Sequence, residues 1–254
     1  MKAIRSFENA FLKGFALSNN YESLSIIVSN LHSKNYELSQ NENNFFITQR
    51  HLKLLIFFVN DLEKDFKFKD KFIKIIGKKE SDFTKFSPFL KANHFSEFEL
   101  FKQMRLEKSA LDSQILKPCE LISLASGANI NEVYTFLTQF FSPEYLFYFS
   151  KDELENKAKA GKILLYKEKN LIKGALIFSK SLNSTMLDFI AVSKDLEQKN
   201  AAYLLMNAFV LVNKEAKFYQ LFVRNDNERA IKFYQKFGFE FKDMRLKFYK
   251  KDRV

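Results

Sequence analysis

The residues best suited to chemistry lie near the C-terminus, in the stretch VRNDNERAIKFYQKFGF at 223–239. Asn227, Ala230 and Tyr234 follow one another at spacings of three and four, so on a helix they share one face that can line a narrow cleft. A phenol on such a face can donate a proton. Equally, Tyr234 and Phe233 are aromatics of the kind that pack beneath a sheet. Other constellations are lacking. His32, His51 and His94 are scattered and no Cys/His spacing suggests zinc, so no metal is expected. There is no Walker loop, no GxGxxG and no GxSxG turn. The single cysteine, Cys119, cannot form an internal disulfide and fits a reducing cytoplasm.

The elements that must position these residues follow from periodicity and capping signals. From Lys117 onward strands and helices alternate. The strand CELISLA leads to a helix capped by Asn129, with Glu132 reaching back. Ser150 and Glu153 open a second helix that Gly161 can close in the left-handed conformation. Strands at 163–167 and 172–180 flank the turn Glu168-Lys169-Asn170, and TMLDFIAV at 185–192 is a third. A long helix over 196–215, a strand at 218–224 and a helix capped by Asn225 with Glu228 and ending at Gly238 come next. Strands at 239–241 and 245–249 close the chain. The order predicts an α/β fold.

Residues 1–112 predict a separate, smaller α/β domain ahead of a second at 117–254. Residues 1–40 are expected to be helical, from Phe7, Phe11 and Phe15 and then Leu24, Ile27 and Leu31. Strand-like runs follow at 45–48, 52–59, 72–76 and 98–106. A helix is expected at 81–94, which Pro88 can kink or delay, and a polar linker at 107–114.

With its flanking strands, the 223–239 segment resembles the last helix of the GNAT acetyltransferase superfamily. Asn227, Ala230, Tyr234, Gly238 and Phe239 stand where that helix carries an Asn, an Ala, a Tyr and a terminal Gly-Phe. The resemblance covers 117–254 and implies a GNAT-like mixed, largely antiparallel central sheet flanked by helices. It further implies acetyl-CoA as cosubstrate and direct attack by a primary amine of a small molecule or peptide. Asn227 would bond the pantetheine amide beside Ala230, and Tyr234 would protonate the departing thiolate. The pyrophosphate loop should follow LDFIAV, where the family has Arg or Gln, two residues, Gly, one residue, then Gly or Ala. Here the segment is EQKNAAYLLM, making Gln198, Lys199, Asn200, Ala201 and Ala202 the expected phosphate-binding positions through backbone amides. It contains no glycine, although Asn tolerates positive φ and Ala keeps the backbone approachable. Ile190, Ala191 and Val192 would splay from the next strand and pair with the pantetheine arm, one amide polarising the thioester carbonyl. Asp188 is the candidate general base, acting directly or through water; it is as readily a polar residue on an exposed strand face.

The missing glycines motivate a second expectation, a catalytically inactive GNAT-fold binding or regulatory module. A nucleic-acid-binding module has only the net charge of +11 behind it. That charge is spread along the chain without an Arg-rich stripe, which argues for a generally basic exterior. The 31 phenylalanines and absent tryptophan fit AT-rich coding and carry no functional weight. Residues 89–108 echo 233–251, pairing Phe95 with Phe239 and Met104 with Met244 across a four-residue insertion. A true repeat would make the first half a degenerate GNAT-like copy with Leu90 in the place of Tyr234; otherwise it is an unrelated α/β cap. Either way it is expected to shape the acceptor pocket or a homodimer surface and not to bind acetyl-CoA. The loop FFSPEYLFYFS at 140–150 is expected to line that pocket or to join the core. The apolar run Leu54–Val59 is far short of the roughly 20 residues of a membrane span. Glu8 and Lys13 interrupt FENAFLKGFAL, so a cytoplasmic protein is expected.

Overall fold

The computed structural model describes residues 2–49, 51–111, 119–195 and 200–252. The chain forms two compact units, one of Met1–Phe101, Pro143–Tyr148 and Asp243–Val254, the other of Lys102–Ser142 and Phe149–Lys242. Among the described residues no helix is long and apolar enough to cross a membrane.

In the first unit the expected helical stretch 1–40 divides into α1 (Lys2–Lys13), β1 (Leu17–Ser18), α2 (Leu24–His32) and β2 (Tyr36–Asn41). Ser23 starts α2 afresh by accepting from the Ile26 amide. β3 (Asn44–Gln49), β4 (Leu55–Val59) and β5 (Phe72–Gly77) follow. Strands β1, β4, β3 and β2 lie side by side in that order. Alternation gives this sheet two buried faces: Phe45, Ile47 and Phe58 pack with Phe7, Ile27 and Leu31 of the first two helices. Phe46, Phe57 and Val59 pack on the other side with Phe83, Phe86 and Phe89. Those last three come from α3 (Ser81–Thr84) and α4 (Ser87–Ala92) and the junction between them. Pro88 sits in the first turn of α4, where its missing N–H is harmless, so the expected helix at 81–94 is split rather than kinked. β6 (Phe95–Glu107) is one strand of thirteen residues.

The second unit alternates as expected. β7 (Ile122–Leu124), α5 (Ile130–Thr138) and α6 (Lys151–Lys159) lead to β8 (Ile163–Glu168), β9 (Leu171–Lys180) and β10 (Ser184–Val192). α7 (Ala201–Leu211), β11 (Phe218–Arg224), α8 (Glu228–Lys236) and β12 (Glu240–Lys251) complete the chain. The sheet of this unit runs β6-β11-β10-β9-β8-β7. Pairing is antiparallel from β7 through β10, while β10 and β11 are parallel, which requires a crossover that α7 supplies. The two closing strands expected at 239–241 and 245–249 are one, β12. Its end pairs with β5 in the first unit.

Capping agrees with the sequence at α6, where Ser150 and Glu153 form the reciprocal box and Gly161 adopts φ +65. At α5 the cap lies earlier: Ser126 opens a short 3₁₀ turn and bonds Asn129, which leaves Glu132 to accept from the Ile172 amide. At α8 the cap lies later, at Asn227.

α7 is apolar almost throughout, and Ala201, Leu205, Met206, Phe209 and Val210 are buried against Leu164, Tyr166, Leu176 and Phe178 of the sheet. Each large side chain of this kind contributes about 1.5–3 kcal/mol on burial, far more than intrinsic helix propensity. The close approach rests on Gly174 of β9. A Cβ there would lie 3.0 Å from Leu205 and 3.2 Å from both Tyr166 Cβ and Val192. Gly174→Val is expected to destabilise the protein by about 1–3 kcal/mol, read from urea denaturation.

Candidate active site

The parallel ladder between β10 and β11 is short. It runs from Ser184↔Phe218 to Leu187↔Leu221 and stops, although β10 continues to Val192 and β11 to Arg224. On its other side β10 stays paired with β9 as far as Val192↔Gly174. The Ser193 amide donates to the Lys173 carbonyl at 2.8 Å. Strand alternation then turns the Ala191 amide toward β9, and those of Ile190 and Val192 toward the side where the β11 ladder has ended.

The parting coincides with a β-bulge. Leu187 pairs with Phe178 and Phe189 with Ile177, so Asp188 is the extra residue. A bulge places two successive side chains on one face and bends the strand. Leu187 packs in the core beneath α7. Asp188 and Phe189 both turn the opposite way, Phe189 against Phe141 and Phe149 with ring centroids 4.9 and 5.8 Å apart.

Asp188 is not on an exposed face: its side chain is 4% exposed. Its Oδ2 accepts from Ser179 Oγ at 2.6 Å and lies 3.1 Å from Lys157 Nζ. Lys157, on α6, also donates to Ser179 Oγ and the Phe178 carbonyl at 2.8 and 3.1 Å and lies over the Phe149 ring. Removing one partner from so buried a pair costs about 3–5 kcal/mol. Neither Lys157 nor Ser179 stands out in the sequence, because they lie 31 and 9 residues from Asp188. The one available signal is Asp188 itself, a charge in an otherwise apolar run.

On α8, Tyr234 is 6% exposed and stacks edge-on with Phe233 and Phe239. Burial raises its phenol well above the ordinary tyrosine range, so it keeps its proton at any working pH. Asn227 is exposed and its Oδ1 accepts from the Ala230 amide at 3.1 Å, which leaves Nδ2 as the side chain's donor. Tyr234 and Ala201 belong to one apolar cluster, against which Ile190, Val192 and Ala230 pack. The structure thus gathers five of the candidate residues. Asp188 lies on the far face of the sheet from them.

Asn200 caps α7 with φ −103 and no side-chain bond; its backbone is in a region open to any residue, so no glycine is required there. Ala201 is fully buried, Ala202 half-buried, and the first turn carries no acid, leaving early amides of the helix for an anion. Gln198 and Lys199 lie outside the described residues. Just before them, Asp195 is held by Lys173 Nζ at 2.6 Å. That bond, with one from Ser193, lowers its carboxyl to about 2. Among the described residues no group of three or more His, Cys, Asp or Glu is placed to hold a metal.

Residues 130–239 match the family model of the Acetyltransferase (GNAT) family, and this part of the chain is a GNAT domain. Solved structures extend the likeness in fold. A GCN5-related N-acetyltransferase from Sphaerobacter thermophilus gives a TM-score of 0.57 at 12% identity, over 90% of this chain and 85% of its own. A tandem GNAT protein from the clavulanic acid biosynthesis pathway gives 0.56 at 10% identity, over 100% and 96%. A GNAT-family acetyltransferase from Colwellia psychrerythraea gives 0.51 at 10%, over 93% and 100%. The tandem protein's match over the whole chain extends the GNAT-like fold to the N-terminal half. No curated protein matches in sequence.

The Lys173–Asp195 bond makes a pH prediction. A carboxyl lowered in the folded state keeps its contribution above the unfolded value near 3.9 and loses it as pH falls through about 2. In a carboxyl NMR titration Asp195 should titrate below the exposed acids; a midpoint at the ordinary value would show the bond absent in solution.

Proposed function

We propose that the GNAT domain is an acetyl-CoA-dependent N-acetyltransferase acting on a primary amine of a small molecule or peptide. The observation that carries this is the edge of β10 beyond Leu187, where the β11 ladder has ended and the strand packs against the same cluster as Tyr234. The chain's groups fit the cosubstrate: strand amides suit an extended amide-containing arm, and a helix start without acids suits phosphates. When bound, acetyl-CoA supplies an acyl group already activated as a thioester, open to direct attack by an amine, so no nucleophilic Ser or Cys is needed.

The amides of Ile190 and Val192, with Ala191 between them, hold the arm, and one of them polarises the acyl oxygen. Residues 198–202, Gln198, Lys199, Asn200, Ala201 and Ala202, hold the pyrophosphate through backbone amides. Asn227 donates from Nδ2, Ala230 keeps the helix face narrow, and Tyr234 gives its phenolic proton to the departing sulfur. Asp188, whose Oδ2 is held by Lys157 and Ser179, accepts the amine's proton directly or through water. Residues 1–112 form a GNAT-like but non-catalytic domain: Leu90, which the echo pairs with Tyr234, carries no titratable group. A cytoplasmic setting suits the lone Cys119. The glycine-free segment at 197–202 favours the second reading, an inactive GNAT-fold binding or regulatory module.

Isothermal titration with acetyl-CoA and CoA separates the two. Micromolar binding, abolished by a bulky, Pro-containing replacement at Ala201–Ala202, is expected of the enzyme; no binding at millimolar ligand would leave the inactive module. In the enzyme, Tyr234→Phe should lower kcat by about 10²-fold with cofactor affinity little changed, and an unaltered kcat would remove its role as acid.

A further inference from the structure

Lys157, Ser179 and Asp188 meet at the one residue where β10 changes direction. The register shift across Asp188 and the end of the β10–β11 ladder at Leu187 fall together. The bulge residue's carboxylate is tied to two different elements: Ser179 on β9 at 2.6 Å and Lys157 on α6 at 3.1 Å. Lys157 is fixed in turn by Ser179, by the Phe178 carbonyl and by the face of Phe149. Its side chain is 14% exposed, and every contact named is to β9, β10 or Phe149, which precedes α6.

Loss of the bulge, carrying the Leu187↔Phe178 register on along the strand, would turn each following side chain and amide to the opposite side. Here Ile190 and Val192 would then present their amides to β9, and the open edge would lose its donors. A charged side chain held by an ammonium and a hydroxyl cannot follow such a shift without leaving a buried ammonium behind.

We infer that the Lys157–Ser179–Asp188 cluster pins the bulge of β10, and that Lys157 is a positioning residue for cofactor binding, acting through Asp188 on the amides of Ile190 and Val192. The inference rests on the proposed use of that edge by acetyl-CoA. It assigns Asp188 a duty separable from proton transfer, since a base affects kcat and its pH profile whereas a pin affects cofactor affinity.

Lys157→Met alone strands a buried carboxylate and can unfold the protein, so the informative variant is the double one, Lys157→Met with Asp188→Leu. It removes both charges and keeps apolar bulk, a change that often preserves stability. Hydrogen–deuterium exchange on ligand-free protein reads the strand itself. In a double variant melting at the wild-type temperature, amides in 188–192 should exchange about tenfold faster, and titration should show acetyl-CoA binding about tenfold more weakly. Lys157→Arg, which keeps the charge pair, should return both toward wild type. Wild-type exchange at 188–192 and wild-type affinity in the double variant would overturn the inference and reduce the pair to a stabilising contact. Faster exchange in a protein that shows no acetyl-CoA binding even as wild type would uphold the pin and reject the cofactor proposal instead.

Discussion

The site depends on one constraint: two parallel strands that begin as neighbours must stop being neighbours. Four residue pairs hold β10 to β11, and beyond them β10 is supported from one side only. A strand with an unsatisfied edge inside a sheet is costly unless something takes up its amides. The sheet keeps β10 on β9 through Val192 and fills the faces above and below, which holds the strand in place while its edge toward β11 stays open. Ile190 and Val192 pack toward the α7 cluster and Phe189 toward Phe141 and Phe149.

The remaining features of the second unit serve that parting. α7 has to cross from the end of β10 to the start of β11, and its apolar length and Gly174 beneath it let it lie close to β9. Its N-terminus therefore emerges just after β10 ends, which puts helix amides close in sequence to strand amides. α8 follows directly on β11 and is fixed by the Asn227 cap at one end and Gly238, at φ +94, at the other. Tyr234 sits between these two ends, with its backbone carbonyl accepting from the Phe237 and Phe239 amides. A side chain so enclosed is held in one orientation, and the same enclosure raises its pKa.

Local signals carried much of this in the sequence, and long-range ones did not. The strands at 163–167, 172–180, 185–192 and 218–224 were legible because alternation and turn residues are local; Lys169 and Asn170 indeed adopt positive φ in their hairpin. The Ser150–Glu153 box was legible for the same reason. The caps at α5 and α8 are less legible because Ser126 competes with Asn129 and Asn227 with Asn225, and backbone geometry chooses between them. The division of residues 1–40 was missed because two short amphipathic helices and one long one give the same periodicity. Asp188 was legible as a charge in an apolar strand, whereas its burial and its partners depend on α6 and on the register of β9. The absence of glycine from the phosphate segment is legible in the sequence, whereas the negative φ of Asn200, which requires no glycine at that position, is not.

One consequence of the chain's division reaches beyond the site. Each compact unit holds part of the other's sequence: β6 enters the second unit at Lys102, and β12 enters the first at Asp243. Neither unit is a continuous piece of polypeptide, so no single cut in the chain releases one intact. During synthesis Phe72–Gly77 lacks its β12 neighbour until residues 245–250 have been made. Such pairing between distant parts of the sequence folds slowly. Completion of the first unit is therefore tied to residues 243–254, far along the chain from the rest of it.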